Sequence, residues 1–461
     1  MKKSNSQTMG LFIGVVVFAI LAVVPIGGLE QEGQLFLAAT MMTVVFWAMQ
    51  VGNMGYVSGL YLAVLVILNV AEPGVIFSPW TGSTMYFIIG AYLIASTVKH
   101  SGLGERIATY VISKYITNFR SIIMVIFGLQ AVLALIIPNS WARSLIIMAV
   151  MKQVIDSAEM NKKDAVTVGL TVFVSSIPTS MLFLTGESAI NLMIVDYAPV
   201  SVGWLTWLWY MGVPATFATL LTMAVILMMF KPTQAVTFDQ STIAERFSNM
   251  SELTSKEVRV IIWLAVAIIT WMTDDWHGID IGWATLAITM LMGLPLIGET
   301  LDVKNWADVP IHVLIFLTAA IAIGRVGAVV GTNEFLANLM FPGSTPENVI
   351  LWAVIVVAIA IVIHMFLGSV IAVLSLIIPA TLAFTEPLGL NPLVPIFIVY
   401  VAVFGHFVFP FHHISMIVGI GEENGGYGNK DVMKLGFPLL IVVFVVVLLI
   451  QLPWWQLIGL L

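Results

Sequence analysis

Apolar runs of bilayer-spanning length follow one another along nearly the whole of this 461-residue chain. A helix crossing the hydrocarbon core needs about 20 such residues, because each adds about 1.5 Å of rise. Spans read near 9–28, 35–52, 54–71, 84–100, 165–195, 204–230, 258–273, 279–298, 310–330, 393–420 and 435–459. Composition offers no other solvent: 60% of residues are hydrophobic and 9% charged, where a soluble domain carries about 25% charged residues. With no cysteine, disulfides and thiolate metal sites are excluded. The N-terminal Met1-Lys-Lys-Ser runs into the apolar stretch Leu11 to Ile26 with no small-residue cleavage site after it. This predicts a retained first span rather than a signal peptide.

Two further apolar stretches, 121–151 and 348–385, are each interrupted in the middle, at Pro138-Asn139-Ser140 and at Gly368-Ser369. A broken stretch whose two ends leave on the same side is a re-entrant hairpin, tolerated where its irregular tip is buried in protein or lines a cavity. Positive charge tests the layout, since Lys and Arg favour cytoplasmic loops. With an N-terminus inside and two hairpins, all but Arg143 and Arg325 of the 18 Lys and Arg residues fall on the cytoplasmic side, at 2–3, 99–120, 152–163, 231–259, 304 and 430–434. The opposite loops, 29–34, 72–83, 196–203, 274–278, 331–347 and 386–392, hold acids and no Lys or Arg. Making either hairpin a full span would invert every later loop and destroy the segregation. The expectation is an all-α polytopic membrane protein of about eleven spans and two hairpins, with its C-terminus outside. Arg143 falls near a hairpin tip and needs a partner or a reason in lipid. Arg325 sits late in its span, within reach of the interface by snorkelling.

The two halves echo each other at a spacing of roughly 225–230 residues, the mark of an internal repeat. Met85-Tyr-Phe-Ile-Ile-Gly-Ala-Tyr-Leu-Ile-Ala matches His312-Val-Leu-Ile-Phe-Leu-Thr-Ala-Ala-Ile-Ala in pattern. A hairpin follows in each half, then a span interrupted by polar residues, Thr185-Gly186-Glu187-Ser188 and Pro410-Phe411-His412-His413. An odd number of elements between the copies places them in opposite orientations. Paired interrupted segments in an inverted repeat point to a transporter's midplane site, where helix ends meet ions. The repeat divides the chain into 1–120, 121–230, 231–345 and 346–461, the first and third as scaffold and the second and fourth as the transporting part.

These residues resemble the divalent anion:sodium symporter family, and within it the 2-oxoglutarate/malate and citrate carrier branch. That branch carries Pro-Ser-Asn-Thr-Ala-Arg at the first tip, and here Pro138-Asn139-Ser140-Trp141-Ala142-Arg143 keeps the proline, alanine and arginine in register. Phe183-Leu184-Thr185-Gly186 with Asn191-Leu192, Lys434-Leu-Gly-Phe, and Trp454-Trp455-Gln-Leu-Ile-Gly are similar to its later motifs. The second tip, Leu367-Gly368-Ser369-Val370, lacks the family's Asn and Thr, and His412-His413-Ile414-Ser415 stands where many members have a Thr-Pro-Pro-Asn-like turn.

The resemblance implies a homodimeric elevator in a cell inner membrane, with sodium ions held at each tip against the facing broken helix. Carried over, Asn139, Ser140, Thr185 and Gly186 form the first sodium site, and Gly368, Ser369 and Pro410, beside His412, the second. The substrate carboxylates lie between the tips, among Asn139, Ser140, Ser369 and His412. The segment Gly104–Asn118 suits the family's interfacial arm helix. Read from its own chemistry, Arg143 is either the cation a dicarboxylate needs or a brace on the hairpin. Glu187 either pairs with Arg143 or carries a coupling proton. Adjacent His412 and His413 cannot both face a cavity on regular backbone, and His364 and His406 read as satisfied interior histidines.

No enzyme signature is present: there is no His-Glu-x-x-His, no phosphate-cradling loop, and Gly186-Glu187-Ser188 lacks the closing glycine of a nucleophile elbow. The leading expectation is therefore sodium-coupled uptake or exchange of a C4–C6 dicarboxylate, with a small anion and the lipid bilayer as partners and no nucleic acid. A sulfonate or inorganic anion carrier, and a cation/proton antiporter using Glu187 and the histidines, are the alternatives.

Overall fold

The computed structural model describes residues 5–233, 252–341 and 346–461. Lys2, Lys3 and Arg246 of the expected cytoplasmic charges, and part of the 331–347 loop, lie outside the described residues. Within them the fold is all-α, with a lone bridge between Ile420 and Tyr427 and no named strand. Helices Asn5–Val23, Gln31–Ala48, Met54–Ile67 and Thr84–Ser101 come first. Among the described residues six helical stretches are long and apolar enough to cross a membrane, and Met54–Ile67, Phe119–Ala134, Ile281–Gly293 and Leu393–Phe404 are shorter apolar helices.

Both interrupted stretches fold as hairpins. In the first, Asn118 caps Phe119–Ala134, and the chain breaks at Leu135–Asn139 before Ser140–Ser157. Pro138 supplies the break, since it has no N–H and disfavours helical backbone at the residue before it. Asn139 then starts the second arm by accepting the Ala142 N–H at 3.0 Å. The arms lie side by side, because Gln130 before the tip donates to Ser144 after it at 3.0 Å. The second hairpin has arms Val349–Phe366 and Val370–Thr385, with Ser369 as the cap. Asn139 and Ser369 are structural counterparts: their φ, ψ values are −146°, 117° and −136°, 118°.

Each hairpin is followed by a helix that stops and restarts. The first runs Lys162–Ser180 and resumes as Ser188–Val195; the second runs Leu393–Phe404 and resumes as Ile414–Val418. The segment expected to be an interfacial arm is the helix Leu103–Tyr115, whose Arg106 reaches Glu257 at 2.6 Å. At the same end Lys99 pairs with Asp308 and Lys162 with Glu422. At the opposite end the Trp204 N–H meets Asp274, and Thr84 and Arg325 both reach Asp196. Arg325 is therefore held by an acid at 2.6 Å, not by snorkelling alone.

Candidate anion-transport site

The first tip is tied to the first broken helix by a set of polar contacts. Arg143 is fully buried. Its guanidinium donates to the Ile137 and Gly186 carbonyls, both at 2.6 Å, to Ser180 Oγ at 2.7 Å and to Gln130 Oε1 at 3.3 Å. Hairpin breaks and helix breaks leave carbonyls without helical partners, and a planar five-donor fork can satisfy several of them at once. Glu187 does not pair directly with Arg143. Its carboxylate accepts the Ser140 N–H at 2.7 Å, at the start of the second hairpin arm, where a negative group complements the helix N-terminus. Ser188 N–H closes the same junction by donating to the Pro138 carbonyl at 3.3 Å.

The remaining residues of this half are also engaged. Thr185 Oγ1 accepts from the Trp204 indole at 3.3 Å. Asn139 is buried, and besides capping its helix it donates to the Tyr92 hydroxyl at 3.5 Å. Asn191 donates to the Ser180 and Phe183 carbonyls exposed by the break, and accepts from Tyr400 of the second broken helix at 2.6 Å. Of the oxygens expected to hold sodium, the Gly186 carbonyl thus already faces a cation, Arg143.

The second half has the same backbone and different chemistry. Ser369 Oγ accepts only its own cap bond, from Ala372 N–H at 3.5 Å. Gly368 packs under Phe411: a Cβ placed there would meet the ring at 2.7 Å. Pro410 begins a single 3-10 turn through His412, and its carbonyl accepts the His413 N–H at 3.3 Å. His412 is buried beside Phe409 and Phe411, and its ring stacks on His364 with centroids 4.4 Å apart. His413 is braced on the His406 carbonyl at 3.2 Å. His364 and His406 are not satisfied interior histidines. Both ring nitrogens of His364 and Nε2 of His406 are buried without a hydrogen-bond partner.

The first tip meets the second broken helix at Ser140 Oγ to Ser415 Oγ, 2.9 Å apart. Sequence reading found the tips and breaks but passed over Gln130, Ser180 and Tyr400. The available signal was a polar side chain inside an apolar run, which in lipid calls for a partner. The structure brings Asn139, Ser140, Arg143, Thr185 and Gly186 into one cluster, and Gly368, Pro410 and His412 into another around Phe411. A cavity of about 570 Å³ lies away from the tips, lined by Asp196, Arg325, Asn333, Pro379 and Glu386 among others.

Paired hairpins and paired broken helices, with buried charge at a tip, define a secondary membrane transporter. The chain belongs to the sodium:sulfate symporter transmembrane-region family, whose profile matches residues 5–461, and it is a transporter rather than an enzyme. It is 26% identical to the chloroplastic dicarboxylate transporter 2 of Spinacia oleracea, over 50% of this chain and 42% of that protein. It is 21% identical to an L-tartrate/succinate antiporter of Escherichia coli O157:H7, over 83% of this chain and 84% of that one. Its fold is similar to the Alcanivorax borkumensis YdaH transporter, with a TM-score of 0.50, 13% identity, and 99% and 98% of the two chains covered.

Proposed function

We propose that this chain is a secondary active carrier of a small divalent organic anion of the C4–C6 dicarboxylate class, moved between the two faces of an inner membrane by an elevator-like displacement of the hairpins. The observation that carries this reading is the junction of the halves, where the first tip touches the second broken helix through Ser140 and Ser415. The capped start of Ser140–Ser157 and the start of Ile414–Val418 meet there, and helix N-termini favour anions. The relatives named for dicarboxylates and for tartrate and succinate support the substrate class. In this reading the anion lies between the tips, near Asn139, Ser140, Ser369 and His412, and sodium is the co-transported ion. The acid-bearing loops face outward, the chain works as a dimer, and 121–230 and 346–461 move against the rest.

A second reading, exchange without sodium, is favoured by Arg143. Its guanidinium already occupies the Gly186 and Ile137 carbonyls, so the first half carries its own cation. One experiment separates the two. Purified protein in liposomes is loaded with unlabelled succinate and offered labelled succinate outside, in sodium or in potassium. Uptake that needs sodium supports symport; uptake equal in both salts that needs internal dicarboxylate supports exchange. If sulfate or a sulfonate competes better than any dicarboxylate, the substrate class is wrong. Uptake driven by a pH gradient in potassium would instead move coupling to protons.

A further inference from the structure

The second half holds a cluster of imidazoles, two of which, His364 and His406, the dicarboxylate reading does not use. His364 comes from the first arm of the second hairpin, while His406 and His412 come from the break in the facing helix. One ring nitrogen from each lies within 4.8 Å of the other two, and all three residues are buried. Among the described residues no acid belongs to the group. Both ring nitrogens of His364, and Nε2 of His406 and of His412, lack hydrogen-bond partners, which is costly for buried polar atoms. They do not hydrogen-bond each other, yet one ion with bonds of about 2.0–2.1 Å to imidazole would reach all three once the rings draw in around it.

We propose that His364, His406 and His412 bind a first-row transition-metal ion of the zinc(II) type, which ties the second hairpin to its broken helix as Arg143 ties the first. Three details fit. The His406 Nδ1–H donates to the Ala402 carbonyl at 2.6 Å, which leaves the Nε2 lone pair turned inward; carbonyl-anchored imidazoles are the usual outer-shell arrangement around a metal. His364 has both nitrogens unspent. His412 accepts the Val408 N–H at Nδ1, 3.2 Å away, so its ring proton sits on Nε2; binding a metal there moves that proton to Nδ1 and gives up the Val408 bond, keeping the ring neutral. Imidazole nitrogens suit zinc, copper and nickel, whereas the hard cations prefer oxygen. Three histidines leave the fourth position of a tetrahedral ion open to water or an anion.

The test uses the full chain, purified with a tag free of histidine and stripped with EDTA. Cobalt(II) is titrated in and the ligand-field absorption read, zinc(II) is used as competitor, and melting is followed with and without zinc. The expected result is one cobalt per chain with a tetrahedral spectrum, displaced by zinc, and a higher melting temperature with zinc. His364→Ala and His406→Ala should each weaken binding at least tenfold, while exposed His277→Ala leaves it unchanged. Absence of cobalt absorption in the unmutated protein, or full binding by His364→Ala, overturns the proposal. Should His364→Ala not fold, His412→Gln makes the same comparison, and the unmutated titration decides independently of any variant. Transport is not measured, so failure here leaves the dicarboxylate reading intact.

Discussion

The first and second tips share a backbone and almost nothing else. Asn139 and Ser369 start their helices with nearly the same φ and ψ. Around Asn139, however, the junction is sealed by a buried guanidinium, a carboxylate and main-chain hydrogen bonds. Around Ser369 the cover is a phenylalanine ring and a stack of imidazoles. Directional bonds fix distances to a few tenths of an ångström, whereas ring packing tolerates rearrangement. The first tip is therefore clamped by its own side chains, and the second, without a bound ion, has the freedom to adjust. An inverted repeat can keep its geometry while its two copies take different work.

The sharpest way to break this contrast is to remove the clamp. Arg143→Ala leaves four acceptors without a donor and Glu187 without a nearby positive charge. Loss of a buried charged partner costs about 3–5 kcal/mol, so most of the folded protein should disappear in a melting assay. Arg143→Lys keeps the charge and loses the fork. It should lower stability by about 1–3 kcal/mol, with dicarboxylate affinity of the surviving folded protein unchanged. A tenfold loss of affinity at constant melting temperature would show that Arg143 contacts the anion instead.

A milder comparison uses the two glycines. At Gly186 an added Cβ would lie 2.4 Å from the Ser180 carbonyl oxygen, which is fixed in the broken helix. At Gly368 the obstacle is the Phe411 ring, 39% exposed and able to swing away. Gly186→Ala is expected to cost about 1–3 kcal/mol, as overpacking does, and Gly368→Ala within about 0.5 kcal/mol. Equal melting temperatures for the two variants would end the claim that the tips differ in stiffness.

The smallest effect lies at the contact between halves. Ser140→Ala, Ser415→Ala and the double variant form a cycle around the 2.9 Å bond. A coupling energy of about 0.5–1.5 kcal/mol is expected for a neutral hydrogen bond. Strict additivity would mean that the halves only touch.

Much of this molecule is written in the chain. The length of its apolar runs and Pro138 in the middle of one run sufficed to place most helices and the first hairpin break, because lipid leaves an unpaired backbone few options. The caps were legible as well: Asn139 and Ser369 are short polar residues where a helix must start. Partnership was not legible. Arg143 offered two readings that differ only in what surrounds its nitrogens, and those atoms come from Gln130, Ile137, Ser180 and Gly186, on both the hairpin and the broken helix. His364 stands far along the chain from His406 and His412, and only the packing of the hairpin against its broken helix brings their rings together. Sequence fixes which groups lipid will not leave unpaired, since that depends on local polarity. Tertiary structure decides which of them find each other, since that depends on distances the chain cannot encode locally.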